Sequence, residues 1–262
     1  MTQRSPETAG AAVPRPARGC AADWTSLTAP EPPTGGFEPG RLSELPDAAA
    51  RWLSAALTPG TPLTRAVVLH MHGDIKLGAW RPFTAAQVIK PATGFVWAAT
   101  VRFAALPFSG FDRYSSRSGQ MRWRVLGAVP VMSAAGPDVD RSAAGRLAAE
   151  SVFVPTAYDR ATWGPGPDAD TALATWHIDE QVETVQLRVA ADGALREISM
   201  SRWGNPGGAP YGRHPFGAVF EDQATFDGIR LPSSVRAFWE WGTDRQADGE
   251  FFRAHITSVI AL

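Results

Sequence analysis

The side chains able to do chemistry fall into a few small groups, and each group also has a purely structural reading. His70, His72 and Asp74 occupy alternate positions of one segment. On a strand they would share a face, an arrangement that presents imidazole and carboxylate to zinc or iron. Lys76 continues the same row and opposes a second cation, so the row reads as the wet face of a strand and no metal is expected. His177 is followed closely by Asp179 and Glu180 and is a candidate general base. Polar residues also gather at turns for solvation alone. Asp112 and Tyr114 stand two residues apart on one strand face, with Arg113 and Arg117 on the other. An acid beside a phenol can protonate an enol or orient a carbonyl, and can equally hold two strands together. Glu150 follows Arg146 at helical i, i+4 spacing. Exposed, such a pair contributes about 0.3–0.5 kcal/mol. Buried, it is either a clamp between helix and sheet or an acid whose pKa balances burial against the arginine. Glu150, Asp112, Tyr114 and His177 are therefore the candidate catalytic residues. His214 falls in a Gly/Pro-rich stretch, 207–215, that reads as a lid, and His255 reads as solvent-facing.

No Gly-x-Ser-x-Gly elbow, Walker loop or dinucleotide fingerprint occurs, which argues against a serine hydrolase, a kinase or a Rossmann oxidoreductase, and no cofactor is expected. The elements that must position the candidates are mainly strands. Apolar residues at helical spacing predict a helix over 46–57, and the period then changes to two, with Val67, Leu69, Met71, Ile75 and Leu77 on one face. Phe95, Trp97, Ala99, Val101 and Phe103 form a second row, and a hairpin is predicted around Ser118-Gly119. A small-residue helix follows over 140–153, stopped by Pro155. Further strands follow to the end of the chain, with a two-residue turn at Asp227-Gly228 and one long strand predicted over 229–241. Roughly ten or eleven strands result. A sheet that large must curl, split or close. The fold class predicted is mainly β (α+β), a large curled antiparallel sheet forming a half-open barrel with helices over its concave side.

The first forty residues hold seven prolines and five glycines without a period, which predicts a disordered or loosely docked tail over 1–41 and a single domain over 42–262. A formal charge of −1 gives no electrostatic footprint for nucleic acid. No run of eighteen apolar residues occurs, so no membrane span is expected. Cys20 is the lone cysteine, and Pro14-Arg15-Pro16-Ala17-Arg18 before it is no signal-peptide core, so the expected setting is cytoplasmic.

Ten tryptophans are the most unusual feature. Rings fill a wide core well, and they also wall apolar pockets. The candidate ligand-binding residues are Phe95, Trp97, Trp123, Arg146, Arg202, Trp203 and Trp239.

Several short motifs add a resemblance. They are Leu45-Pro46, Gly94-Phe95-Val96-Trp97, Phe111-Asp112-Arg113-Tyr114, Arg146-Leu147-Ala148-Ala149-Glu150, Val154-Pro155-Thr156, Arg202-Trp203 and Phe238-Trp239. With them the stretch from Leu45 onward resembles the bacterial domain-of-unknown-function family numbered 6544. That family looks like the half-barrel carriers of the LolA and LolB kind, which hold acyl chains beneath a helical lid. The resemblance implies a hydrophobic small molecule as partner. Three functions follow as expectations: a cytosolic binding protein for such a molecule, a cofactor-free cyclase, isomerase or hydratase, and an interaction module with a groove for a peptide or helix.

Overall fold

The alternation of apolar and polar residues decides which face each strand buries, and here it builds a sheet of thirteen antiparallel strands. The structure, a computed structural model, describes residues 12–104 and 106–262. Two short helices come first, α1 (Ala21–Leu27) and α2 (Asp47–Ala56). Six strands then run as a meander: β1 (Val67–Leu77), β2 (Ala79–Lys90), β3 (Gly94–Phe103), β4 (Leu106–Ser115), β5 (Ser118–Val125) and β6 (Val129–Ala135). Helix α3 (Pro137–Glu150) leads to β7 (Thr162–Pro165), β8 (Thr171–Ile178), β9 (Gln181–Val189), β10 (Leu195–Gly204) and β11 (Gly212–Phe220). A separate hairpin, β12 (Gln223–Phe226) with β13 (Ile229–Pro232), precedes β14 (Ser234–Trp239) and β15 (Glu250–Ala261).

The strand order is β6-β5-β4-β3-β2-β1-β15-β14-β11-β10-β9-β8-β7. The first and last strands of the chain thus meet in the middle, with Val67 opposite Ala261, and β6 and β7 are the two edges. The chain passes from one edge to the other through α3. Laid flat, thirteen strands would separate those edges by about 58 Å, whereas the fourteen-residue helix spans only about 21 Å and the 3-10 turns Ser151–Phe153 and Pro155–Arg160 after it add about 18 Å. The sheet must therefore curl around the helix, and the result is the half-barrel. Bulges at His70/Met71, Trp123/Arg124, Leu195/Glu197 and Ala237/Phe238 supply the bending. Two glycines make room for indoles inside the curve. A Cβ on Gly110 would stand 2.7 Å from the ring of Trp123, and one on Gly204 would stand 2.7 Å from that of Trp239.

Several boundaries differ from the sequence reading. The β4–β5 turn falls at Ser116-Arg117, both with positive φ, rather than at Ser118-Gly119. The long strand predicted over 229–241 is broken at Ser233 and shared between two sheets, because β13 folds back on β12 while β14 joins β11 and β15. Strands β6 and β7, neither of them predicted, form the edges.

Of the two alternatives for the tail over 1–41, disordered or loosely docked, its described part is docked. Residues up to 11 lie outside the described ones, but Arg15–Cys20 forms a 3-10 segment that continues into α1 and packs on the convex face. Ala17, Cys20, Trp24 and Leu27 are buried there against Val68, Val88, Val96, Ala98 and Phe111. Phe37 is buried in the main core, edge-on to Tyr158 at 6.3 Å. A few large anchors outweigh many prolines when the outer face of β1–β4 is itself apolar and needs cover. Among the described residues, no helix is long and apolar enough to cross a membrane.

This packing makes a prediction. Trp24→Ala should cost about 3–5 kcal/mol of stability, read as the shift in a denaturant midpoint, while Thr25→Ala on the exposed side of the same helix should change it by less than about 0.5 kcal/mol. Equal midpoints for the two variants would mean that the segment is not held by its buried side chains.

Candidate functional site

Helix α3 presents a face of small residues, Ala143, Ala144 and Ala148 with Leu147, to the concave side of the sheet. Its first turns are pinned from both sides: Asp140 accepts the Gly119 N–H at 2.6 Å, and Asp138 accepts the Trp203 indole N–H at 3.1 Å. Its far end carries a clamp. Arg146 donates through Nη1 to Asp112 Oδ2 at 3.0 Å and through Nε to Glu150 Oε1 at 2.8 Å. The remaining oxygens are also taken, Asp112 Oδ1 by Trp123 Nε1 at 3.0 Å and Glu150 Oε2 by Gln87 Nε2 at 2.6 Å. The guanidinium lies 4.8 Å from the Phe95 ring centre and 5.2 Å from that of Trp97. Burial pushes the Asp112 carboxyl above its ordinary range, and the charge of Arg146 works against that rise. The predicted Arg146–Glu150 pair is therefore real, and Asp112 joins it.

Beside the clamp a cavity of about 290 Å³ remains between α3 and the sheet. Its apolar walls are Phe95, Trp97, Phe216, Trp239, Phe251 and Phe252. Neighbouring rings meet at 5.3 Å for Phe216 and Trp239 and at 6.2 Å for Trp239 and Phe251. A smaller space of about 70 Å³ continues past Glu150 among Met71, Phe153, Phe220 and Ile256. Arg202 lines the larger cavity at 8% exposure, its guanidinium 4.8 Å from the Phe216 ring centre and 5.1 Å from that of Trp239. Its stem passes α3 at Gly145, where a Cβ would come within 3.2 Å of Cγ. Burial, followed by the neighbouring charge of Arg146, pulls Arg202 down to about 10.

The predicted residues divide. Phe95, Trp97, Arg146, Arg202, Trp239, Asp112 and Glu150 meet around this cavity. Trp123 stands behind it, 5.7 Å from Trp97. Trp203 does not line it; its ring lies under Arg141 at 3.4 Å and fixes the start of α3. Tyr114 shares a face with Asp112 as expected, but its hydroxyl donates to Asp179 Oδ2 at 2.7 Å, and burial raises its pKa. His177 is exposed at the end of β8, and the acids beside it in sequence turn elsewhere, Asp179 to Tyr114 and Glu180 to Arg117. His70 and His72 lie on the face of β1 opposite Met71, with His70 Nδ1 3.0 Å from Ser258 Oγ and the His72 ring 5.6 Å from that of His255. His214 lies within β11 rather than in a loop, while Asn205 and Tyr211, from the segment before that strand, reach the cavity rim.

Sequence reasoning missed Phe216, Phe251, Phe252 and Gln87. The alternation Phe216, Ala218, Phe220 was a usable strand signal, masked by the Gly/Pro-rich stretch preceding it. Phe251 and Phe252 are adjacent, so alternation alone would have placed them on opposite faces; a bulge at Ala237/Phe238 lies beside them.

A family model described as "Family of unknown function (DUF6544)" matches residues 35–251. No curated protein matches the sequence. Among solved structures, a DUF1329 family protein from Desulfovibrio piger is 10% identical with a TM-score of 0.41, covering 86% of this chain and 94% of that one. A LolA superfamily protein, NE2245 from Nitrosomonas europaea, is 9% identical with a TM-score of 0.41, covering 82% of this chain and 92% of that one.

The clamp predicts an asymmetry among variants. Arg146→Ala leaves two buried carboxylates facing each other and should cost about 3–5 kcal/mol. Glu150→Gln keeps the shape and the Asp112 pair and should cost only about 1–2 kcal/mol. Thermal unfolding of both variants checks this, and a Glu150→Gln loss equal to that of Arg146→Ala would contradict the arrangement.

Proposed function

We propose a function for a chain that belongs to the family of unknown function DUF6544: it holds a hydrophobic small molecule in the concave cavity of its half-barrel. The observation that carries this reading is the residual space beneath α3, walled by aromatic rings on a sheet whose concave side is otherwise closely filled. Its volume, about 290 Å³, falls near the lower end of small-molecule sites. The helix supports the reading by what it lacks. Alanines face the rings where leucines would have closed the gap, and the clamp holds the helix at that distance. The proposal places the protein in the cytosol, a setting in which Cys20 stays a free thiol, buried and pushed up to about 12 chiefly by desolvation.

A second reading, a cofactor-free cyclase, isomerase or hydratase, is favoured by one observation: the buried Asp112 at the cavity wall is more readily protonated than an ordinary carboxyl. Both of its oxygens are occupied by Trp123 and Arg146, which favours the binding reading over the catalytic one.

The test uses a neutral apolar probe, N-phenyl-1-naphthylamine, titrated into the full chain. Probe emission should rise and tryptophan emission should fall as the probe binds. Ala143→Leu fills the cavity from the helix side and should weaken binding at least about tenfold, equivalent to about 1.4 kcal/mol. A wild-type protein that leaves the probe unbound, or an Ala143→Leu variant that binds it equally well, removes the proposal.

A further inference from the structure

Among the described residues, the buried side-chain atoms of the cavity lining that lack a partner are all donors. Arg202 is more than nine-tenths buried and has one hydrogen bond among the described residues, from Nη2 to the Ser142 carbonyl at 3.3 Å, while its Nε is buried without a partner. Trp97 lines the same cavity, and its indole N–H is likewise buried and unpartnered. Among the described residues no carboxylate is hydrogen-bonded to Arg202. All four oxygens of Asp112 and Glu150 are engaged by Arg146, Trp123 and Gln87, and Glu183 is held by Arg213 at 2.9 and 3.0 Å. Glu150, Glu183 and Asp112 act on Arg202 only through space, and a buried guanidinium with no carboxylate in contact is costly. A buried donor left without an acceptor calls for a ligand that brings one.

We infer that the molecule held in this cavity is an amphiphile with a carboxylate head, seated on the guanidinium of Arg202, and an apolar tail among the rings. The inference rests on the cavity-binding reading above and names the class of molecule bound. A monoanion fits because, of the three described arginines lining the cavity, Arg146 lies between two carboxylates and Arg113 pairs with Asp23, which leaves Arg202. The planar fork of a guanidinium matches a carboxylate with two parallel hydrogen bonds. The tail has a path, since the smaller space past Glu150 is walled by Met71, Phe153, Phe220 and Ile256.

The experiment displaces N-phenyl-1-naphthylamine from the wild-type chain with decanoate, decanol and methyl decanoate, which share a tail and differ at the head. Decanoate should compete at least tenfold better than either neutral compound. Arg202→Met keeps most of the stem, and in it the ratio of decanoate to decanol competition should fall to about one, whatever the variant's affinity for the probe. Without ligand, the melting temperature of this variant should stay level or rise, because an unpaired buried charge has gone; a structural strut would lower it. If the wild-type protein takes decanol as well as decanoate, or if Arg202→Met keeps the preference, the carboxylate inference is overturned while the cavity reading stands. A fall in melting temperature on Arg202→Met would assign the arginine to the fold and overturn the inference as well. Failure of the probe itself to bind would instead remove the cavity reading on which the inference rests.

Discussion

One connection governs this structure: α3 must carry the chain from one edge of a thirteen-stranded sheet to the other. The helix and the 3-10 turns that follow it cannot together span a flat sheet, so the strands close toward the helix, which becomes the roof of whatever space the curl encloses. The Arg146 clamp then decides where the roof sits. It ties the last turn of α3 to β4 through Asp112 and, by way of Glu150 and Gln87, to β2. Ion pairs of this kind add little net stability against an apolar alternative, but they are specific about position because leaving one partner unpaired is so costly. The clamp is best understood as a spacer that sets the distance from helix to sheet.

That distance would be wasted on a core, because cores are normally packed until no void remains. Here the helix brings alanines to a sheet lined with phenylalanines and tryptophans, and glycines beneath the indoles let the rings lie flat against the strands. The two kinds of surface do not interdigitate, and a space remains. Arg202 is the most unusual occupant of its wall. Other arginines lining the concave cavity or its back have carboxylates: Arg146 has Asp112 and Glu150, and Arg113 reaches Asp23 on the convex side. Arg202 has aromatic faces and a single carbonyl.

Much of this was legible in the residues, and the parts that were not have physical reasons. The strand faces, α2, α3 and the half-open barrel follow from periodicity. The Arg146–Glu150 pair follows from helical spacing, although its third member, Asp112, comes from a strand and only the fold brings it near. The docked N-terminal segment was also signalled, in a form that is easily misread. The run Phe95-Val96-Trp97-Ala98-Ala99 is apolar at every position rather than at alternate ones, and such a run marks a strand covered on both faces. The second face needed a partner, and Trp24 and Leu27 supply it. The edges β6 and β7 were invisible because edge strands bury little: every residue of β6 except Ala134 is exposed, so no alternation develops. The unpaired state of Arg202 could not have been read from sequence at all, since an arginine's partner depends on the whole fold.

The central claim is that the space under α3 is a ligand site and not a packing defect. Native mass spectrometry of the full chain, after incubation with a total small-molecule and lipid extract, tests it most directly. A ligand site predicts a single adduct at one molecule per chain, of apolar acidic character, that is absent from an Ala143→Leu variant treated identically. Spectra showing only the bare chain, or the same adduct on both proteins, would contradict it.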